Sequence, residues 1–377
     1  MNLQERTGRL AGSPTKYAAA ACDALIAAYA PEELPPAGRW HYHQGIFLEG
    51  MLHAYRLTGD ERYADYPKRY VDHLVDARGN LVFARDELDS IMPGLLLLAL
   101  DEKHGDADAR YRIAAGKLRH LFRTLNTTSE GAYWHKDKYP HQMWLDGLYM
   151  GGVFALRYAA RYGDEELVPM TLSWERRMRE RMSDASTGLL YHAWDESRQA
   201  PWADAVTGNS PELWGRSLGW YGMALADFLD ALPEAHPGRA ELQAALGVFA
   251  DGLIRHQDAE TGLWYQVVDK GDRPDNWLET SCTSLFVYAI VGAARHGCVG
   301  ADRLEAARRG YRGLLTRLRE DDKGRLVVPD ICIGTSAGDY RNYVTRPVSE
   351  NDLHGVGAFL LACAAMASLE EGAEPAH

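Results

Sequence analysis

The stretch ELWGRSLGWYGMALADFL, residues 212–229, decides the fold. Its small and apolar residues fall on most faces of a helix. A helix apolar all round is buried, whereas a helix with one apolar stripe lies outside. The same all-round pattern recurs at about 43–57, 88–103, 142–162, 278–296 and 351–368, the last within ENDLHGVGAFLLACAAMA (350–367). Residues 212–231 make the sixth such segment. Between them run six helices of the other kind. In DADARYRIAAGKLRHLFRTL (106–125) the apolar set is Tyr111, Ala114, Leu118, Phe122 and Leu125, with Arg110, Lys117 and Arg123 outward. ADRLEAARRGYRGLLTRLRE (301–320) repeats this, and amphipathic segments also fit 14–29, 61–76, 165–182 and 238–256.

A second repeat follows each of five outer helices. RGNLVFARD, EGAYWHKD, TGLLYHAWD, TGLWYQVVD and KGRLVVPD each carry a glycine, an apolar or aromatic pair, then polar residues. The glycines are Gly79, Gly131, Gly188, Gly262 and Gly324. Repeats of this length signal one supersecondary unit stacked on copies of itself. Six outer–inner hairpins predict an all-α closed ring, an (α/α)6 barrel, formed by residues 1–377 as a single domain. The Pro-rich PEELPPAG at 31–38 is expected to be a loop inside the first hairpin.

Composition narrows the function. Of the 377 residues, 46% are hydrophobic and 25% charged, which predicts a well-packed core. The formal net charge of −12, from 53 acidic and 41 basic residues, argues against nucleic acid and against a long polyanion in an electropositive groove. A short acidic ligand with local positive contacts fits. No run of eighteen apolar residues is found, so no membrane span is expected. The stretch MNLQERTGRLAGSPTK has no apolar run of a signal peptide. The five cysteines (Cys22, Cys282, Cys298, Cys332, Cys363) fit neither a disulfide framework nor a zinc pattern, and a cytoplasmic location is expected.

Polar residues collect where the inner helices begin: Trp40, Tyr42, Asp89, His135, Lys136, Asp146, His192, Trp214, Arg216, Glu279 and Asp352. In a ring those N-termini share one end, and their unpaired N–H groups favour an anion. Each residue also has a plain structural reading. Arg216 could simply pair with Glu212 one turn earlier, and Lys136 could lie in a solvated loop. His41 and His43 resemble a metal pair, but no convergent ligands support them, so no metal or other cofactor is expected. Asp146 sits among Met143, Trp144, Leu145, Leu148, Tyr149 and Met150, which is costly for a charge unless it is paired or protonated.

HQMWLDGLYMGGVFALRYA (141–159) resembles the central motif of glycoside hydrolase family 105, the unsaturated rhamnogalacturonyl hydrolases, relatives of the family 88 unsaturated glucuronyl hydrolases. WGRSLGWYGMALADFLD, LETSCTSLFVYAI and GTSAGDYRNYVTRPVSENDLHGVGAFLLA resemble further blocks of family 105, in order from about residue 40 to 365. The resemblance implies an (α/α)6 fold, Asp146 and Asp89 as the catalytic pair, and Tyr42, His135, Lys136, His192, Trp214, Arg216 and Trp220 as substrate-binding residues. It implies a small acidic oligosaccharide as substrate, most simply unsaturated galacturonyl-rhamnose, with ulvan-derived uronides as the alternative. In such a substrate the C4=C5 bond is an enol ether, so one carboxyl can protonate C4 and later accept a proton from water. The apolar company of Asp146, with Asp89 as a neighbouring like charge, should raise its pKa. A sugar epimerase using His41, His192 or His256, and a non-catalytic sugar-binding protein, are the competing readings.

Overall fold

The computed structural model describes residues 12–370 except 83 and 106. Among these, the inner helices are Tyr42–Thr58, Gly94–His104, Phe154–Tyr162, Gly215–Ala231, Thr280–Arg295 and Leu353–Glu370. The outer helices are Pro14–Ile26, Arg62–Leu74, Arg110–Leu121, Leu167–Met182, Arg239–Arg255 and Leu304–Arg317. Each inner helix packs on the next, and the last packs on the first, so the ring is closed. The (α/α)6 architecture expected from the hairpin count is the observed one.

Packing explains the glycines at the seam between the first and last inner helices. A Cβ on Gly357 would lie 2.6 Å from the Ile46 carbonyl oxygen, and one on Gly50 would lie 2.8 Å from Leu360 Cβ. Any side chain there would force the two backbones apart. The five repeat glycines serve a different end. All adopt positive φ, between 67° and 82°, and turn the chain back after an outer helix. Short antiparallel pairings flank four of these turns, as at Val75 with Leu81 and at Arg319 with Val327.

Two inner segments depart from a plain helix. Residues 88–103 break at Met92–Pro93 into a short turn, Leu88–Ile91, and the helix proper. Residues 142–162 begin as a strand, Gln142–Trp144, then wind through a π-helical stretch, Leu148–Val153, before the α-helix. π-Helical turns inside α-helices often mark functional positions. Leu353–Glu370 is long and apolar enough to cross a bilayer by length and mean composition alone, although it holds no unbroken apolar run of that length. Its 18-residue window has a mean hydropathy of 1.5 and is 72% buried, because it is a wall of the ring.

Candidate active site

The strand Gln142–Trp144 pairs antiparallel with Ala193–Asp195, with Trp144 opposite Ala193. The Leu145 N–H continues the pairing to the His192 carbonyl at 3.1 Å. This pairing places Asp146, at the first turn of the inner helix, beside His192. Asp146 Oδ2 lies 3.1 Å from His192 Nε2, and His192 Nδ1 lies 2.7 Å from the Tyr343 hydroxyl. Trp144 and Trp214 pack around the imidazole, with ring centroids at 5.2 and 4.6 Å.

Asp89 sits in the Leu88–Ile91 turn, 3.1 Å from His41 Nε2 and in direct contact with Lys136. Burial pushes its carboxyl up, but the Lys136 ammonium and His41 outweigh that and hold it well below the usual range. His135 lies flat on Trp144, at 4.5 Å and 13°, and burial lowers its pKa to about 4, so it is neutral at pH 7.

These residues open on one cavity of about 370 Å³. Asp89, Asp146, His41, Tyr42, His135, Trp144 and Tyr139 line it, together with the 334–336 loop. Four cations, Arg39, Lys136, Lys138 and Arg346, face two carboxylates there. The wall therefore carries positive excess on a protein whose formal net charge is −12.

Several expectations need correction. The Asp146 carboxyl is lowered, not raised: burial, the largest single influence, pushes it up, but the hydrogen bond to His192 and the two neighbouring imidazoles of His192 and His135 together outweigh it. Asp89 does not lift it, because its charge is already held by Lys136. Arg216 does not pair with Glu212, which is bound to Lys270 instead. Nor does Arg216 line the cavity. It is 1% exposed, stacks 4.6 Å from Trp214, and donates to the carbonyls of Cys332 and Ile333 and towards His354 Nε2. Trp214 and Trp220 are equally buried and support other side chains: Trp214 stacks on Tyr343, Trp220 on Tyr149. The aromatic residues that reach the cavity are Tyr42, Tyr139 and Trp144.

Among the described residues, two groups have metal-ligand geometry, His43–Asp352–His354 and His41–Glu87–Asp89. Both are already paired internally. His354 Nδ1 lies 2.8 Å from Asp352 and its Nε2 faces Arg216, while Asp89 carries Lys136. A donor set so committed fits ion pairing better than a cation.

Sequence pattern alone did not single out Tyr343, His354, Tyr139, Arg346 or Thr335. Tyr343, His354, Arg346 and Thr335 all lie in the family-like block from Gly334 to Ala362, which was the available signal.

The sequence model of Glycosyl Hydrolase Family 88 matches residues 17–370. A solved family 105 glycoside hydrolase from C. acetobutylicum ATCC 824 superposes with a TM-score of 0.88. It is 34% identical and covers 93% of this chain and 99% of its own. The unsaturated rhamnogalacturonyl hydrolase YesR of Bacillus subtilis (strain 168) is 28% identical over 262 residues, 68% of this chain and 71% of YesR. Protein Atu3128 of Agrobacterium fabrum is 36% identical over 229 residues, 57% of this chain and 97% of that protein. With the ring, the paired Asp146 and His192 and the cationic cavity, these matches place the chain in the family 88 and 105 group of unsaturated uronyl hydrolases, and it is a glycoside hydrolase.

Proposed function

We propose that the enzyme removes the 4,5-unsaturated uronic acid from the non-reducing end of lyase-generated oligosaccharides, with unsaturated galacturonyl-rhamnose from rhamnogalacturonan as its substrate. The observation that carries this reading is Asp146, held by His192, opening on a cavity with cationic excess. The likeness to YesR supports the choice of rhamnogalacturonan. The five cysteines are all free thiols, which supports a reducing, cytoplasmic setting as part of the same proposal.

In this reading Asp146 gives its proton to C4 of the enol ether, leaving an oxocarbenium-like C5. It then takes a proton from the water that adds at C5. The resulting hemiketal opens and expels the neighbouring sugar, so no second carboxyl has to protonate the leaving oxygen, unlike ordinary glycosidases. Asp146 rests as a carboxylate, so it must be protonated as substrate binds. The uronate brings a second negative charge and excludes water, and both effects favour the protonated acid. Asp89, fixed by Lys136 and His41, offers acceptor oxygens to sugar hydroxyls, with His135 beside it. Tyr42 and Tyr139 give the sugar faces an aromatic wall. Arg216 acts from beneath by holding the Cys332–Ile333 backbone. Trp214 and Trp220 brace His192 and Tyr42.

The test is direct. The protein is mixed with lyase-treated rhamnogalacturonan, and loss of the double-bond absorbance is followed. Loss of absorbance with release of a free keto sugar is expected. An unchanged double bond across a panel of unsaturated disaccharides would defeat the proposal, and an isomerised sugar with the bond retained would favour an epimerase.

A further inference from the structure

We propose that Tyr343 is a positioning residue: its hydroxyl fixes the ring proton of His192 on Nε2, so that a neutral imidazole donates to Asp146. The argument is a proton count along one buried chain. The Gly338 backbone N–H can only donate, and it meets the Tyr343 oxygen at 3.1 Å. The other partner of that oxygen is His192 Nδ1 at 2.7 Å. A phenol has one proton, and among the described residues Nδ1 is the one acceptor within reach. Tyr343 therefore donates to Nδ1, Nδ1 is bare, and the proton lies on Nε2, 3.1 Å from Asp146 Oδ2.

The alternatives fail on the same count. With the proton on Nδ1, the Tyr343 hydroxyl hydrogen has no acceptor, and two lone pairs face each other between Nε2 and the Asp146 carboxylate. With both nitrogens protonated, the phenol hydrogen is again stranded in a site where Tyr343 and His192 are fully buried. An unmade buried hydrogen bond is costly, so the bare Nδ1 wins. The groups packed around the pair do not change the count. Trp144, Trp214 and Tyr343 enclose the ring with aromatic surface. Beyond Asp146 lie His135, Tyr42, and Asp89 with its Lys136, while Arg216 lies behind Trp214. Burial pushes the Tyr343 phenol well above its usual pKa, so it keeps its proton.

The kinetic consequence rests on the reading of Asp146 as the proton-cycling group; the tautomer does not. A donor locked towards Asp146 favours its carboxylate form at rest. Removing the Tyr343 hydroxyl frees the ring to turn its lone pair to Asp146, which favours the acid.

The test uses protein with 15N-labelled histidine and long-range proton–nitrogen correlation spectra, the His192 signals being assigned by their loss in His192→Gln. Wild type is expected to show a protonated Nε2 and a bare Nδ1 at pH 7. Tyr343→Phe should populate the other tautomer. It should also move the alkaline limb of kcat/KM upward by about one pH unit. A wild-type ring carrying its proton on Nδ1, or on both nitrogens at pH 7, would overturn the proposal. So would a Tyr343→Phe variant with unchanged tautomer and pH profile, since a merely structural role would alter rate or stability alone. If Tyr343→Phe fails to fold, the wild-type spectrum still decides. If no unsaturated uronide is turned over, the functional reading falls while the spectrum still judges Tyr343.

Discussion

The barrel buries charge at two levels along its inner helices, and the two are built differently. At the N-terminal turns, Asp89, Asp146 and their histidines border an open cavity. One to three turns further along the inner segments, a second cluster ties four of them together. There Arg157 bonds Glu49 at 3.1 Å and Asp227 at 3.0 Å, Tyr288 donates to Asp227 at 2.7 Å, and Tyr149 to Glu49 at 3.2 Å. No atom of this deeper cluster is a buried polar atom without a partner. Such atoms gather near the cavity instead: His41 Nδ1, Asp89 Oδ1, His135 Nδ1, Thr335 Oγ1 and Arg346 Nε. A fully satisfied charged cluster pins helices together, whereas unsatisfied polar atoms beside a cavity mark a place built for something else to bind.

The sharpest break between the two levels is Asp146→Asn. The amide is nearly isosteric but cannot cycle a proton, so turnover should fall by about a hundredfold or more with the fold intact. More than a few per cent of wild-type double-bond loss would move the chemistry elsewhere. Arg157→Met should do the reverse. It strands Glu49 and Asp227 in the ring, so stability should drop by about 3 kcal/mol in chemical denaturation. The rate per folded molecule should hold. Arg216→Ala lies between these cases, since Arg216 holds the Cys332–Ile333 backbone beneath the cavity. It should lose roughly 2 kcal/mol together with roughly tenfold activity. Full activity in that variant would move the floor of the site into the purely structural class.

A smaller effect is the pH response of the closed level. Burial raises Asp227 from 3.8 to about 6 despite Arg157. A carboxyl raised in the folded state binds more protons folded than unfolded between those values. Its contribution to stability is thus present at low pH and lost as pH rises through about 6. Compared with Asp227→Asn, wild type should therefore lose relative stability between about pH 4 and 7, by most of the roughly 3 kcal/mol that the whole shift represents. A constant difference in melting across that range would contradict the raised carboxyl. The smallest expected effect is that of overnight chelation. Both histidine–carboxylate groups are already internally paired, so the rate should not change, and a loss restored by one divalent ion would reopen the metal reading.

The fold was legible because periodicity reports burial directly. All-round apolar segments such as Gly215–Ala231 and one-stripe segments such as Arg110–Leu121 have different surfaces to hide. Five glycines in matching positions proved to share one positive-φ turn. Asp146, Asp89, His135 and His192 were legible through their motif context. What was not legible depended on distance in the chain. Nothing near Arg216 in sequence announces that its partners are the carbonyls of Cys332 and Ile333. The same holds for Asp146, whose local apolar company suggested a raised carboxyl. The deciding neighbour, His192, arrives through a strand pairing that helix periodicity concealed.

The glycine seam carries a consequence for how the chain reaches its native state. Gly50 and Gly357 belong to the first and last inner helices, so the contact that closes the ring joins segments separated by almost the whole polypeptide. Loop-closure entropy must be met before that contact gives anything back, and contacts of such high sequence separation slow folding. During synthesis the first hairpins leave the ribosome with an open apolar flank whose permanent partner does not yet exist. A side chain at either glycine would therefore act chiefly on ring closure, leaving early hairpins formed and the final step impaired.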